Sequence, residues 1–111
     1  MPTPITRDGL KARIDSGDAV VVEALTRDDY ESSHLPGAVF LELSEVSEKA
    51  PELIGDKQRP VVTYCGGVTC RSSTRMAEAL ERLGYKNVYE YQEGKPDWQE
   101  AGLPLETEVS A

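Results

Sequence analysis

The sequence is poor in the residues that a metal centre, a disulfide framework or a membrane span requires. It has one histidine, His34, and two cysteines, Cys65 and Cys70, which share one short stretch. A structural zinc site takes four ligands, and this set cannot complete it. Secreted disulfide scaffolds of this size carry several pairs spread along the chain, and a bridge within so short a stretch stabilises a fold little. The longest apolar runs, such as residues 19–22, are far too short to cross a bilayer. Positive charge is scarce as well. With 12 Lys+Arg against 20 Asp+Glu the formal charge is −8, which disfavours nucleic acid and anionic membrane surfaces as partners. Residues 1–10 lack the apolar middle of a secretory signal. Aromatic residues are only 6% of the chain, so Trp98 and Tyr91 are expected to pack the core.

What is present describes a small globular domain. A length of 111 residues, 39% hydrophobic and 29% charged, suits one domain over residues 1–111, with an acidic tail from about residue 105. A soluble, cytoplasmic protein is expected. Residues 6–16 read as a short helix ending near Gly17, and the β-branched run 19–25 as a buried strand. A helical turn over 28–33 precedes a turn at His34-Leu35-Pro36-Gly37, then a second strand over 38–43. Residues 44–54 read as a helix capped by Ser44 and broken near Pro51. Residues 60–64 form another buried strand. The clearest helix spans 72–83, with Met76, Leu80 and Leu83 on one face and Gly84 as its C-cap. A last strand at 87–91 and a short helix around 96–101 follow. The acidic stretches 42–52 and 90–100 read as solvated faces. Strands alternating with helices predict an α/β fold with a parallel, doubly covered sheet.

The chemistry concentrates at Cys65, where a buried strand gives way to a loop. That is the carboxyl end of a sheet strand, the usual ligand side of an open α/β sheet. Gly66 and Gly67 let the backbone curl so that several N–H groups can face one spot, and the start of the following helix favours negative charge there. A thiol in that setting is biased toward the thiolate, which is the nucleophile. Arg71 adds a fixed positive charge. Read without this context, Cys65 would be a buried strand-end cysteine packed like a small hydrophobe.

Several segments, in order, resemble the rhodanese-like family of sulfurtransferases in its single-domain form. Ser33-His34-Leu35-Pro36-Gly37-Ala38 resembles the family's Gly-His-Ile/Leu-Pro-Gly-Ala segment, and residues 61–65 its central strand ending in the nucleophilic cysteine. Residues 83–88 resemble its helix end and next strand. Gly94-Lys95-Pro96-Asp97-Trp98 and Ala101-Gly102-Leu103-Pro104 resemble its closing signature. The resemblance implies a rhodanese-like fold, a central parallel sheet of about five strands with helices on both faces. It also implies catalysis by Cys65 within an active loop of Gly66, Gly67, Val68, Thr69, Cys70 and Arg71. Departures are Glu23-Ala24-Leu25 for the usual Asp-Val-Arg, Ser33 for Gly, and Glu93 for the first Gly of a Gly-Gly pair. The loop departs too: Cys65 to Arg71 is Cys-x5-Arg, the spacing of related dual-specificity cell-cycle phosphatases and arsenate reductases. Those enzymes place His before the cysteine, whereas here it is Tyr64.

The implied reaction has two steps. The Cys65 thiolate takes the outer sulfur of a donor (thiosulfate, a persulfide or a mercaptopyruvate-like compound) as a persulfide, and cyanide or a thiol then removes it. No metal and no organic cofactor are implied; a thiol reductant or sulfur-relay protein is a further partner. Two other readings stay open, a phosphatase or arsenate-reductase-like enzyme and a non-catalytic binding or redox-sensing module. Cys70 either pairs with Cys65 as a redox partner or fills a loop position and stays reduced. His34 reads as a structural turn residue, Tyr64 as packing on the face opposite Cys65, and Arg75 as pocket rim or solvated surface.

Overall fold

The structure is a computed structural model that describes residues 2–67 and 70–107. Five strands form one sheet: β1 (Thr3–Pro4), β2 (Val20–Glu23), β3 (Val39–Phe40), β4 (Val61–Tyr64) and β5 (Val88–Tyr91). Their order is β1-β5-β4-β2-β3, and every pairing is parallel. All four residues of β4 are buried, as the middle position requires. Alternation along the strands feeds two apolar layers. Val22, Val61 and Val88 pack with α3 (Val46–Leu53) and α4 (Ser72–Arg82) on one face. Val21, Val62, Tyr64 and Tyr91 pack with Leu10 of α1 (Arg7–Ser16) and Trp98 of α5 (Gly94–Glu100) on the other. The remaining helix, α2 (Arg27–Ser32), leads into the His34 turn. On α4, Ser73, Met76, Ala77 and Leu80 are buried at helical spacing.

Two local expectations need correction. Ser44 caps nothing: it lies within a 3-10 turn, Leu43–Glu45, and α3 begins only at Val46. The break in this region therefore falls before Val46, while α3 runs through Pro51, which has no N–H to give the Ser47 carbonyl. Helix α4 ends at Arg82, and Gly84 terminates it as expected: it takes φ +100°, its N–H donates to the Glu81 carbonyl at 3.0 Å, and the Tyr85 N–H donates to the Leu80 carbonyl at 3.1 Å. Strand β1 has no counterpart in the sequence reading; it is two residues long, and Pro4 suits an edge where a missing N–H does no harm. Of the expected acidic tail, residues 108–111 lie outside the described residues, while Glu106 bridges back to His34 through paired backbone hydrogen bonds of 2.8 Å.

Candidate active site

Cys65 is the first residue after β4, and the chain leaves the sheet there to reach α4 seven residues on, at Ser72. Gly67 takes φ +133°, a backbone conformation that L side chains avoid. The Cys70 N–H donates to the Gly67 carbonyl at 3.1 Å, which folds the loop back on itself. Cys65 and Cys70 are thereby brought to a Cα separation of 6.4 Å, within bridging range, and they form a disulfide. Of the two, Cys65 is 1% exposed, whereas Cys70 is half-buried. Val68 and Thr69 lie outside the described residues. Arg71 is exposed and, with Cys70, Thr74, Glu90 and Gln92, lines a small cavity of about 200 Å³.

The loop is clamped from the far side by the start of α5. Gly94 holds φ +70°, and a Cβ built on it would sit 2.3 Å from the Cys65 carbonyl oxygen and 2.7 Å from the Gly67 nitrogen. The next residue, Lys95, donates its N–H to the same Cys65 oxygen at 2.9 Å. Its side chain enters a second buried cluster: Lys95 Nζ pairs with Glu23 at 3.1 Å, and Glu23 accepts a 2.6 Å hydrogen bond from the Tyr64 hydroxyl. Tyr64 in turn accepts from the Leu35 N–H at 3.1 Å. Burial, reinforced by the neighbouring Glu23 carboxylate, pushes the Tyr64 phenol far above its ordinary range. Tyr64 therefore braces the strand end on the face away from Cys65.

Behind the cysteine lies a group that sequence reasoning missed. Ser73 Oγ is 3.3 Å from Cys65 Sγ and donates to a Glu90 carboxylate oxygen at 2.9 Å. Thr74 Oγ1 donates to that same oxygen at 2.6 Å. Thr63 Oγ1 donates to the Ser73 carbonyl at 3.0 Å, tying the central strand to the first turn of α4. Glu90 is only 4% exposed, so its assignment to a solvated acidic face is wrong. The signal was its position: in Val88-Tyr89-Glu90-Tyr91 it shares a strand face with Val88, which points into the core.

On the other side of the loop, Ala24, Leu25, Leu41, Leu43, Ser72 and Arg75 line an open cavity of about 290 Å³. Gly66 adjoins it, its Cβ position lying 3.8 Å from Leu25 Cδ2. Arg75 thus lies at a pocket rim. His34 is distant in role: it is 1% exposed, stacked on Tyr30 at 4.0 Å, with Nδ1 2.8 Å from the Tyr30 carbonyl oxygen. No helix among the described residues is long and apolar enough to cross a membrane.

Comparison with known proteins identifies the family of this fold. The chain is 32% identical over 106 residues to the thiosulfate sulfurtransferase GlpE of Actinobacillus succinogenes, covering 95% of this chain and 91% of that one. It is 30% identical over 102 residues to the HTH-type transcriptional regulator Rv0324 of Mycobacterium tuberculosis, covering 92% of this chain but only 44% of that protein. Among solved structures, the BH2092 protein of Bacillus halodurans superposes with a TM-score of 0.87 at 23% identity, over 96% of this chain and 77% of that one. Residues 6–101 match the rhodanese-like domain. The chain belongs to the rhodanese-like domain family.

Proposed function

We propose that the protein is a sulfurtransferase that carries sulfane sulfur as a persulfide on Cys65. The observation that carries this reading is the position of Cys65. It stands at the carboxyl end of the central parallel strand and against the first turn of α4, which no side chain caps. In the reduced protein the Cys65 thiolate attacks the outer sulfur of a donor; the donor's remainder departs with the bonding electron pair, and the new S–S bond is the persulfide. The active loop in this reading is Gly66, Gly67, Cys70 and Arg71, together with Val68 and Thr69, which lie outside the described residues. The start of α4 favours the negative charge of a thiolate or persulfide at its end. Cyanide or a thiol then takes the outer sulfur and returns Cys65 to the thiolate. The scheme needs no metal or organic cofactor.

The thiosulfate sulfurtransferase relative supports the chemistry, and the loop's neutral composition before Arg71 makes a persulfide or a mercaptopyruvate-like thiol donor as suitable as thiosulfate. A thiol-rich compartment such as the cytoplasm suits the scheme, because the Cys65–Cys70 bridge must open before a donor can load. Residues 1–111 act in this reading as a single domain.

Intact mass of the reduced protein after incubation with thiosulfate or glutathione persulfide tests the proposal. The expected result, read at early times and in Cys70→Ser as well as in wild type, is a gain of one sulfur that is absent in Cys65→Ser and discharged by cyanide. A protein that gains no sulfur from either donor would leave the fold without this activity. The Cys-x5-Arg spacing makes aryl phosphate hydrolysis the control reaction. The residue directly before Cys65 is Tyr64 rather than histidine, and hydrolysis is expected at background level; robust turnover that disappears in Arg71→Ala would replace sulfur transfer with phosphoryl chemistry.

A further inference from the structure

We infer that Cys70 is a resolving thiol that discharges the Cys65 persulfide as sulfide, which makes the domain a dithiol-dependent reductase of sulfane sulfur. This rests on the persulfide reading above and extends it to a second activity. The bridge shows which atom Cys70 reaches: its sulfur is bonded to Cys65 Sγ itself, the inner sulfur of any persulfide formed there. The approach does not depend on the sulfurs alone, because the Cys70 N–H to Gly67 carbonyl hydrogen bond folds the loop so that both cysteines face each other.

The step balances within the chain. Cys70 sulfur attacks Cys65 Sγ and the Cys65–Cys70 bond forms. The bond to the outer sulfur breaks, and that sulfur leaves with the electron pair and the Cys70 proton as hydrosulfide. Sulfane sulfur is reduced by two electrons, and the two cysteines are oxidised to the disulfide seen here. Accessibility then sets the direction of recovery. Cys65 is buried, whereas Cys70 is half-buried and lines the small cavity with Arg71 and Thr74. An external thiolate therefore attacks Cys70, beside the Arg71 charge, and the departing group is the Cys65 thiolate, ready for the next donor. A dithiol completes the cycle by displacing itself from Cys70, restoring its thiol and leaving as its own disulfide. The partner class is a dithiol, either a small molecule or a protein with a paired cysteine motif.

The test is a single turnover without added thiol. Reduced protein, freed of reductant, is mixed with thiosulfate, and three quantities are followed: intact mass, free thiols and released sulfide. Wild type should pass through the species with one extra sulfur to one lacking two hydrogens, with one sulfide released per persulfide formed. In Cys70→Ser, and in Cys70→Ala as a second variant, any persulfide formed should persist, with sulfide release lost and the stored sulfur still recoverable as thiocyanate. A wild-type persulfide as long-lived as that of the variants, or an extra sulfur that maps to Cys70, overturns the resolving role and leaves sulfur transfer intact. Failure of wild type and of both Cys70 variants to gain sulfur, with no sulfide released, overturns both.

Discussion

Ser73 has one hydroxyl proton and two sulfur or oxygen neighbours within reach of it. In the structure the proton goes to Glu90, so toward Cys65 the hydroxyl presents only lone pairs. That arrangement favours a protonated thiol and offers a path by which its proton can move through Ser73 toward the carboxylate. A nearby negative charge also disfavours the thiolate directly. Replacing Glu90 with Gln removes the charge and supplies an amide that can donate to Ser73, freeing the hydroxyl to donate to sulfur. Glu90→Gln is therefore expected to move the pH midpoint of Cys65 alkylation by iodoacetamide to lower pH. Ser73→Ala separates the two effects, because it keeps the charge and removes the relay. An unchanged midpoint in Glu90→Gln would reduce Glu90 to holding the first turn of α4 against β5 through Ser73 and Thr74.

At the scale of elements, the contact between α5 and the active loop is made through a glycine that no other residue can replace. Gly94→Ala would place a methyl 2.3 Å from the Cys65 carbonyl oxygen, in a positive-φ conformation. The conformation alone costs about 1–2 kcal/mol, and the clash with rigid backbone adds to it. Gly94→Ala should lower stability by about 2 kcal/mol or more in urea unfolding and slow persulfide formation, because the loop must shift. Gly102→Ala, also at positive φ but with open space around it, should show only the conformational part. Equal losses in both variants would remove any special role for the clamp. This contact also marks where sequence reading works and where it stops. The Val-rich strands and the Met76, Ala77, Leu80 face of α4 carry their periods in the chain itself, so sheet and helices were legible. The position of Cys65 at a strand end followed from the same pattern. Strand β1 did not, since two residues with a proline hold no period. Glu90 looked like one more acid beside Glu93 and Asp97, and its partners Ser73 and Thr74 meet it only in three dimensions.

Across the whole molecule, three phenols tie one element to another, and each does so by donating its proton. Tyr64 donates to Glu23 between β4 and β2, Tyr85 to the Ile54 carbonyl at the end of α3, and Tyr91 to Asp97 between β5 and α5. All three are pushed above the ordinary value of 10.0, first by burial, with Glu23 and Asp97 adding to the effect on Tyr64 and Tyr91. The folded state thus keeps these protons where the unfolded chain releases them. Their contribution to stability is complete below about pH 10 and declines as pH rises from there toward the raised folded values. For Tyr64, which is fully buried, the slope is about 1.4 kcal/mol per pH unit. Thermal unfolding measured from about pH 8 to about pH 11 should show a flat midpoint that falls steeply beyond about pH 10. Tyr64→Phe removes the bond to Glu23 and leaves the Leu35 N–H unpaired, so at neutral pH it should be weaker by about 1–3 kcal/mol. Its decline with pH should nonetheless be shallower, because one of the three titrating groups is gone, and the difference in slope isolates that phenol. A wild-type midpoint that stays level to about pH 11 would show that the phenols ionise in the folded protein without consequence, and would detach them from the account of its stability.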